Sequence, residues 1–327
     1  MSFNYGIGSV LHGSSHVSGL DFHESGEHLV MGTSTSVHLI DARTAEEKKK
    51  VFIKTHGLGK IKFTHHELCV LLSSEKKTND IRYLSLYDNK YLRYFRGHSD
   101  LVTSLSMSPS DDYFLSSSVD RTVCYWNLNS SYPIGKLKLD NNAGFPYAAF
   151  DKSGVIFGIM CQNAGNGAHY LKLYDAREFE RGPFANIAPT REQLVAALDK
   201  QSSRLRPDMM WTHFEFSADG KNILINTNTD AVLVCDSYDN KEPLAICSRQ
   251  MHCDGAHTPL AAAFSPDSRY VLTGTGDCNI QVCDVKTGEV KKTLEGHKSP
   301  VKMISCNPVY DMFASSCYST ALWVNTD

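Results

Sequence analysis

The sequence predicts an all-β protein, a β-propeller of seven blades, from two repeated phrases and the spacing between their copies. In the first phrase, a short alternating strand ends at an apolar anchor and a polar turn follows, as in Asp21–Gly26 and Ala263–Asp267. Five of the six distances between successive anchors are 41 to 48 residues, about the length of a four-stranded blade. The anchors are Phe22, Phe63, Met107, Phe150, Phe216, Phe264 and Cys306.

The second phrase closes each unit with an apolar or aromatic residue followed by Asp or Asn, as in Ile40-Asp41 and Trp126-Asn127. We therefore expect one domain over residues 1–327. The expected blades are 14–54, 55–97, 98–140, 141–187, 209–248, 249–296 and 297–327. The last unit has room for only three strands, so residues 7–12 should supply its outer strand and close the ring.

The one irregular distance, 66 residues between anchors, places an insert at 188–208 between blades four and five. Thr190-x-x-Gln193 has the pattern of a helix capping box, and Leu194, Ala197 and Leu198 would share one helical face. The pattern predicts a short helix near 190–202, and a disordered loop is the alternative.

Composition excludes several classes of protein. The chain has 42% apolar and 21% charged residues and a net charge of −3, values that fit neither a disordered tail nor a collagen nor a membrane protein. The near-neutral charge argues against direct nucleic-acid binding. No secretory signal is visible, and the ten cysteines contain no C-x-x-C pair, so we expect reduced thiols. The basic runs Lys48–Lys50 and Lys76–Lys77 are expected in solvated loops.

The third unit, which begins Gly97-His98 and ends Tyr125-Trp126-Asn127, resembles a WD repeat. This resemblance implies that His98, Ser116, Asp120 and Trp126 form a hydrogen-bonded chain inside the blade. A His–Asp–Ser catalytic set is the alternative, and the match to a structural repeat disfavours it.

Little else in the sequence suggests chemistry. Gly274–Asp277 is interpreted as a turn and, less readily, as a phosphate-binding loop. Cys247, His252, Cys253 and His257 form a metal-like cluster without the spacing of a known zinc finger. We therefore expect no catalytic residue, no cofactor and no metal, and predict a rigid platform whose loops bind other proteins.

Two stretches, Asn79–His98 and Lys172–Ala185, are similar to a narrower family. Its members are nuclear WD-repeat proteins shared by the Set-domain histone methyltransferase complex (COMPASS) and by complexes of transcription termination and mRNA 3′-end formation. The resemblance implies a non-enzymatic adaptor in the nucleus. Its expected partners are a methyltransferase subunit, a targeting scaffold of protein phosphatase type 1 and, indirectly, the C-terminal repeat of RNA polymerase II.

The expected partner surface comprises the loops before blades three and five, chosen for family specificity and for the largest insertion. Its candidate residues are Arg93, Arg96, Asp100, Arg191, Gln193 and Arg204. The alternative function is a substrate receptor of a cullin–RING ubiquitin ligase, because Asp41-Ala42-Arg43 and Asp175-Ala176-Arg177 resemble the adaptor-binding motif of such receptors.

Overall fold

A computed structural model of the chain confirms a ring of seven four-stranded antiparallel sheets. It describes residues 4–11, 17–163, 165, 167–200, 209–238, 243, 245–249 and 260–326. In each of the first six blades the strands follow chain order. The first strands of neighbouring blades contact each other, as β2 does with β6, so these strands line the axis and the fourth strands form the rim.

The strands of the first half of the ring begin with one that precedes blade one. They are β1 (Tyr5–Leu11), then β2 (Val17–Phe22), β3 (His28–Thr33), β4 (Ser36–Asp41) and β5 (Glu47–Phe52) in blade one, β6 (Ile61–Phe63), β7 (Cys69–Ser73), β8 (Ile81–Ser85) and β9 (Lys90–Phe95) in blade two, and β10 (Val102–Met107), β11 (Tyr113–Ser118), β12 (Thr122–Asn127) and β13 (Gly135–Lys138) in blade three.

The remaining blades follow the same plan. Their strands are β14 (Tyr147–Phe150), β15 (Ile156–Gln162), β16 (His169–Asp175) and β17 (Ala185–Ile187) in blade four, β18 (Trp211–Phe216), β19 (Asn222–Thr227), β20 (Ala231–Asp236) and β21 (Ala245–Ser248) in blade five, β22 (Ala262–Phe264), β23 (Tyr270–Gly274), β24 (Ile280–Asp284) and β25 (Val290–Leu294) in blade six, and β26 (Met303–Cys306), β27 (Met312–Ser316) and β28 (Thr320–Asn325) in blade seven.

The ring closes as the sequence predicts, because β1 pairs with β28 as the outer strand of blade seven. The pairing runs from Tyr5 opposite Asn325 to Leu11 opposite Thr320. The strand starts two residues earlier than predicted because Tyr5 anchors it: the Tyr5 ring lies edge-on to Phe313, 5.2 Å between centroids. Residue 12 lies outside the described residues.

The insert forms the predicted helix, α1 (Arg191–Lys200). Its capping box is complete: the Thr190 N–H donates to Gln193 Oε1 over 2.7 Å, and the Gln193 N–H donates to Thr190 Oγ1 over 3.2 Å. The apolar face packs into the core between blades four and five with Ile187, Trp211 and Ile246. Leu194, Ala197 and Leu198 are the buried residues of that face.

The core lies between the blades. Phe95 of blade two packs edge-on against Phe114 and Trp126 of blade three, with ring centroids 4.8 and 5.7 Å apart. The Phe114 and Trp126 rings are stacked on each other, 5.8 Å apart, and all three residues are almost fully buried. Burying aromatic side chains of this size is a dominant source of stability, and here it joins blade two to blade three.

The anchor phrase joins neighbouring blades near the axis. Asp21, which precedes the first anchor, accepts the N–H of Phe63 over 2.8 Å through its carboxylate. Ser106, which precedes the third anchor, accepts the N–H of Phe150 over 3.0 Å through its hydroxyl oxygen. The repeated phrase therefore places a polar side chain where the next blade has a backbone donor to satisfy.

The prediction that Lys48–Lys50 lie in a loop is wrong, because these residues form half of β5 on the rim of blade one. Lys48 pairs with Asp41 over 2.7 Å. An edge strand exposes both faces, so charged residues are tolerated there, and lysine on an edge discourages pairing with another chain. Lys76 and Lys77 do lie outside the strands, in the segment between β7 and β8.

Because the strands alternate in direction, the two faces of the ring are built differently. One face carries the connections between blades together with the turns between the second and third strands, and we call it the connection face. The other carries the remaining turns, and we call it the hairpin face. None of the helical residues that the structure describes forms a helix long and apolar enough to cross a membrane.

Candidate partner-binding face

In blade three, the structure brings together the four residues that the sequence singled out. The Trp126 indole N–H donates to Ser116 Oγ over 2.8 Å, and Ser116 Oγ lies 2.7 Å from His98 Nε2. His98 Nδ1 lies 3.3 Å from Asp120 Oδ2. A neutral His98 protonated at Nδ1 satisfies these contacts. Its Nδ1–H donates a hydrogen bond to Asp120, and its Nε2 accepts one from the Ser116 hydroxyl.

The electrostatics of this chain favour a neutral histidine beside a carboxylate. Burial lowers the pKa of His98, and the attraction of Asp120 opposes this effect. Burial would by itself raise the pKa of Asp120, but hydrogen bonds from Thr122 and from the Ser99 N–H hold it at about 2. The side chains of His98 and Asp120 are only 1% and 5% exposed, so a substrate cannot reach them. The arrangement stabilises the blade and does not have the access that a catalytic triad needs.

Blade seven holds a second version of this chain, which sequence analysis missed. His297 Nε2 lies 2.6 Å from Ser315 Oγ, and the Trp323 indole N–H donates to the same oxygen over 2.7 Å. The Cys317 thiol, 3.2 Å from His297 Nδ1, lies on the side where blade three has a carboxylate. The signal was present: His297 and Ser315 are 18 residues apart, as are His98 and Ser116.

Sequence analysis also missed Arg249, which is 2% exposed and joins blades five and six. Its guanidinium donates to the carbonyls of Thr227 and Thr229 over 2.6 and 3.0 Å and to Thr273 Oγ1 over 3.2 Å. Burial lowers its pKa to about 10, which leaves it charged at neutral pH. No local pattern reveals this role, because the acceptors come from positions far apart in the sequence.

The candidate partner residues before blade three lie at the rim and on the connection face. Arg93 is half-buried in the outer strand β9, opposite Tyr83. The Arg96 side chain is 70% exposed, and its Nε lies 3.9 Å from Asp80, a contact that contributes little stability. Asp100 is exposed and accepts the N–H of the next residue over 2.7 Å. Arg96 and Asp100 are thus available to a partner.

The candidates in the insert divide into three cases. Arg191 is exposed at the first turn of α1. Gln193 uses its side-chain oxygen to close the capping box, so its observed contact is within the helix. Arg204 lies outside the described residues. Because the apolar face of α1 is part of the core, the insert is a docked element of the ring.

The alternative chemical sites gain no support from the geometry. Thr275 and Asn279 close the turn at Gly274–Asp277, where the Thr275 N–H donates to the Asn279 carbonyl over 2.9 Å. Cys247 is buried in β21, and a hydrogen bond with Cys283 and burial raise its pKa. His252, Cys253 and His257 lie outside the described residues. Within the described ranges, no group of three His, Cys, Asp or Glu is placed to hold a metal.

The two motifs behind the ubiquitin-ligase alternative lie on the hairpin face. The Arg43 guanidinium lies over the Tyr310 ring of blade seven, 4.9 Å from its centroid. Arg177 is exposed, and its N–H donates to the Asp175 carboxylate over 2.8 Å. The N–H of Arg43 donates to Asp41 in the same way over 2.9 Å. The Asp in each motif thus caps its own turn, which is a sufficient structural reason for the pattern.

Comparison with known proteins extends the likeness beyond single repeats. A family model described as "WD domain, G-beta repeat" matches residues 89–127 and 247–284. The chain is 36% identical to WD repeat-containing protein 82 of Drosophila melanogaster over 95% of this chain and 90% of that protein. It is 33% identical to Set1 complex component swd2 of Schizosaccharomyces pombe over 85% of this chain and 73% of that protein. It is 28% identical to COMPASS component SWD2 of Saccharomyces cerevisiae over 92% of this chain and 88% of that protein.

Proposed function

The chain belongs to the WD-repeat family of WD repeat-containing protein 82 and Set1 complex component swd2, and on that premise we propose that it is a non-catalytic scaffold subunit of a histone methyltransferase complex. The observation that carries the proposal is similarity along nearly the whole ring to proteins named as Set1 complex and COMPASS components. Chromatin is the substrate of such a complex, so the proposed location is the nucleus.

We propose that the same ring also joins a targeting scaffold of protein phosphatase type 1, and through these partners serves RNA polymerase II transcription, termination and 3′-end formation. A rigid ring suits several partners, because its blades support loops without needing to rearrange. This proposal rests on the resemblance of Asn79–His98 and Lys172–Ala185 to the shared nuclear subunits.

The proposed mode of binding is a short, extended segment of the partner docked on loops of the connection face. The exposed Arg96 and Asp100 lie there, at the entrance to blade three. Arg93 lies next to them on the rim strand β9, and Arg191 is exposed on the insert between blades four and five. A segment that crosses from loop to loop can gain affinity from several small contacts without a deep groove.

Affinity purification of the tagged chain from nuclear extract, followed by mass spectrometry, tests the assembly. We expect a Set-domain methyltransferase subunit among the specific partners, against an unrelated seven-bladed propeller carrying the same tag. Recovery of a cullin and its adaptor in place of the methyltransferase would overturn the proposal. If the ligase adaptor is then lost when Arg43 and Arg177 are substituted, the ring is a ligase receptor.

Titration calorimetry tests the face. Peptides of a few tens of residues, tiled along the recovered partner, are titrated into the wild-type ring and the double variant Arg93→Glu/Arg96→Glu. We expect weaker binding by the variant with at most a small fall in melting temperature, because Arg96 is exposed and the half-buried Arg93 lies on the rim strand β9. Arg181→Glu is the matched control, since Arg181 is an exposed arginine near the hairpin face, paired with Glu178. Wild-type affinity in the folded double variant would remove this surface from consideration.

A further inference from the structure

A cavity of about 290 Å³ opens on the connection face where blades seven, one, two and three converge on the axis. Its lining includes Lys60, which precedes β6, and Glu75, which follows β7. Ser34 and Ser73 add hydroxyl groups, and Met303 contributes an apolar wall. None of the described candidate partner residues lines this cavity, although it lies beside Leu101 in the loop that enters blade three.

The backbone of Lys60 is held firmly against blade two. Its N–H donates to Ser73 Oγ over 2.7 Å, and its carbonyl accepts the Ser73 N–H over 2.9 Å. Its ammonium group, in contrast, forms no ion pair or hydrogen bond with the part of the chain that the structure describes. Lys60 is exposed to solvent, and Glu75 lines the same cavity. An anion that enters the cavity can therefore reach an ammonium that is not held in an ion pair.

Two hydroxyl protons are available beside this ammonium. Ser73 Oγ accepts the Lys60 N–H, so its own proton can be donated. Ser34 Oγ makes no hydrogen bond within the described ranges. The other two serines of the cavity, Ser18 and Ser74, already donate to backbone carbonyls over 3.3 and 2.9 Å. One ammonium and two hydroxyl groups thus line the same cavity with donors to spare.

We propose that this cavity binds the carboxylate of an aspartate or glutamate side chain carried by the partner segment. Lys60 supplies the charge, the Ser34 and Ser73 hydroxyls donate hydrogen bonds, and Met303 packs against the methylene carbons of the ligand. Glu75 in the wall makes a singly charged carboxylate a better match than a doubly charged phosphate. The inference rests on the proposed function for its partner, but the cavity and its ligand chemistry are tested without that partner.

The test uses the full chain labelled with ¹³C at the methionine methyl groups, so that Met303 reports on the cavity by NMR. The Met303 signal is assigned with Met303→Leu. The probes are capped pentapeptides, acetyl-Gly-Ser-X-Ser-Gly-amide, in which X is Asp, Asn, phosphoserine or Arg. We expect the Asp peptide to shift the Met303 signal in a saturable way, and the Asn peptide, which has the same shape without the charge, to leave it in place.

Variants assign the effect to Lys60. Lys60→Met should weaken binding of the Asp peptide by about tenfold or more, because it removes the only cation among the described residues that line the cavity. Lys76→Met is the matched control and should bind as wild type, since Lys76 is an exposed lysine next to Glu75 that does not line the cavity. Lys60→Gln is a second variant for use if Lys60→Met lowers the melting temperature.

Four outcomes would overturn the proposal: no Met303 shift with the Asp peptide, unchanged binding in folded Lys60→Met, tighter binding of the phosphoserine peptide, or binding of the Arg peptide alone through Glu75. The proposed function fails differently, when purification from nuclear extract yields no methyltransferase subunit. The pentapeptides carry no partner sequence. The cavity can therefore bind the Asp peptide even if purification yields no methyltransferase subunit, and a methyltransferase subunit can be recovered even if the cavity does not bind the Asp peptide.

Discussion

His297 Nε2 lies 2.6 Å from the Ser315 hydroxyl, which repeats in blade seven the contact between His98 and Ser116 in blade three. In both blades the serine accepts an indole N–H, from Trp323 in blade seven over 2.7 Å. The group beyond the histidine differs, because blade seven offers a thiol and blade three a carboxylate. The two chains therefore share their histidine, serine and tryptophan, and the serine joins the other two.

Replacing that serine should destabilise blade seven. Ser315→Ala leaves the Trp323 indole N–H without its acceptor in the interior, at a cost of about 1–3 kcal/mol in the free energy of unfolding. Urea unfolding followed by tryptophan fluorescence measures the loss. Tyr318→Phe, which removes an exposed hydroxyl in the adjoining turn, is the control and should change stability by less than about 0.5 kcal/mol. Equal effects of the two substitutions would show that the chain in blade seven contributes nothing.

Removing the carboxylate of blade three should have a comparable effect. Asp120→Ala leaves the His98 imidazole and the N–H groups of Ser99 and Thr122 without their acceptor, and we expect a loss of about 1–3 kcal/mol. Asp111→Ala removes an exposed carboxylate of the same blade and is the control. Affinity for the partner peptides should fall only as far as the folded fraction does. A larger fall at full stability would give Asp120 a direct role in binding.

The success of sequence analysis depended on how local each signal was. The capping box of Thr190 and Gln193 was found because its contacts span three residues. The chain in blade three was found because all four of its residues have the spacing of a WD repeat. In blade seven, Trp323 is followed by Val324, and Ser319 stands where blade three has Asp120, so the 18-residue spacing from His297 to Ser315 was overlooked.

The errors have physical causes as well. The run Lys48–Lys50 looked like a loop because a rim strand is solvated on both sides and loses the alternation that identifies strands. Arg249 gave no signal, because its acceptors belong to two blades and include backbone carbonyls, which any sequence supplies. The cavity around Lys60 likewise depends on four blades meeting at the axis, and no pattern within one repeat can reveal that.

Stability should fall on mild acidification because several histidines are held neutral. His169 Nε2 accepts a hydrogen bond from the backbone N–H of Trp211 over 3.2 Å, which requires an unprotonated nitrogen. Burial lowers the pKa of His169 to about 4. Burial also lowers the pKa of His213 to about 4. In the unfolded chain these groups return to 6.5 and bind protons that the folded chain does not. The stabilising effect is therefore complete above pH 6.5 and is lost as the pH falls towards 4.

Urea midpoints measured from about pH 7.5 down to about pH 5 test this expectation. The midpoint should decrease across that range in the wild type. His169→Gln removes one titrating group, so its midpoint should depend less steeply on pH even if it is lower throughout. A wild-type midpoint that stays constant below pH 6.5 would contradict the assignment of neutral histidines.

Removing the closing strand should lower the melting temperature by several degrees. Deletion of residues 1–11 removes every pairing of β1 with β28 and uncovers Phe313, on which the Tyr5 ring lies. It also turns β28 into an unpaired edge, so self-association in size-exclusion chromatography is a second expected effect. Deletion of residues 1–3 is the length control. A melting temperature equal to that of the control would show that β1 is dispensable for the ring.

Arg249 should be among the most sensitive positions of the ring. Arg249→Gln leaves the buried carbonyls of Thr227 and Thr229 without their donor, and each such group costs about 1–3 kcal/mol, so the expected loss is about 3 kcal/mol or more. Arg249→Lys should recover only part of it, because an ammonium lacks the planar fork that reaches both carbonyls.

The matched control for Arg249 is Arg269→Gln. Arg269 is 63% exposed and pairs with Asp267 over 3.2 Å, so its removal should change stability by less than about 1 kcal/mol. Urea unfolding at neutral pH compares the three variants with the wild type. If Arg249→Gln is no more destabilising than Arg269→Gln, water or side-chain rearrangement satisfies the two carbonyls. In that case the guanidinium does not hold blades five and six together.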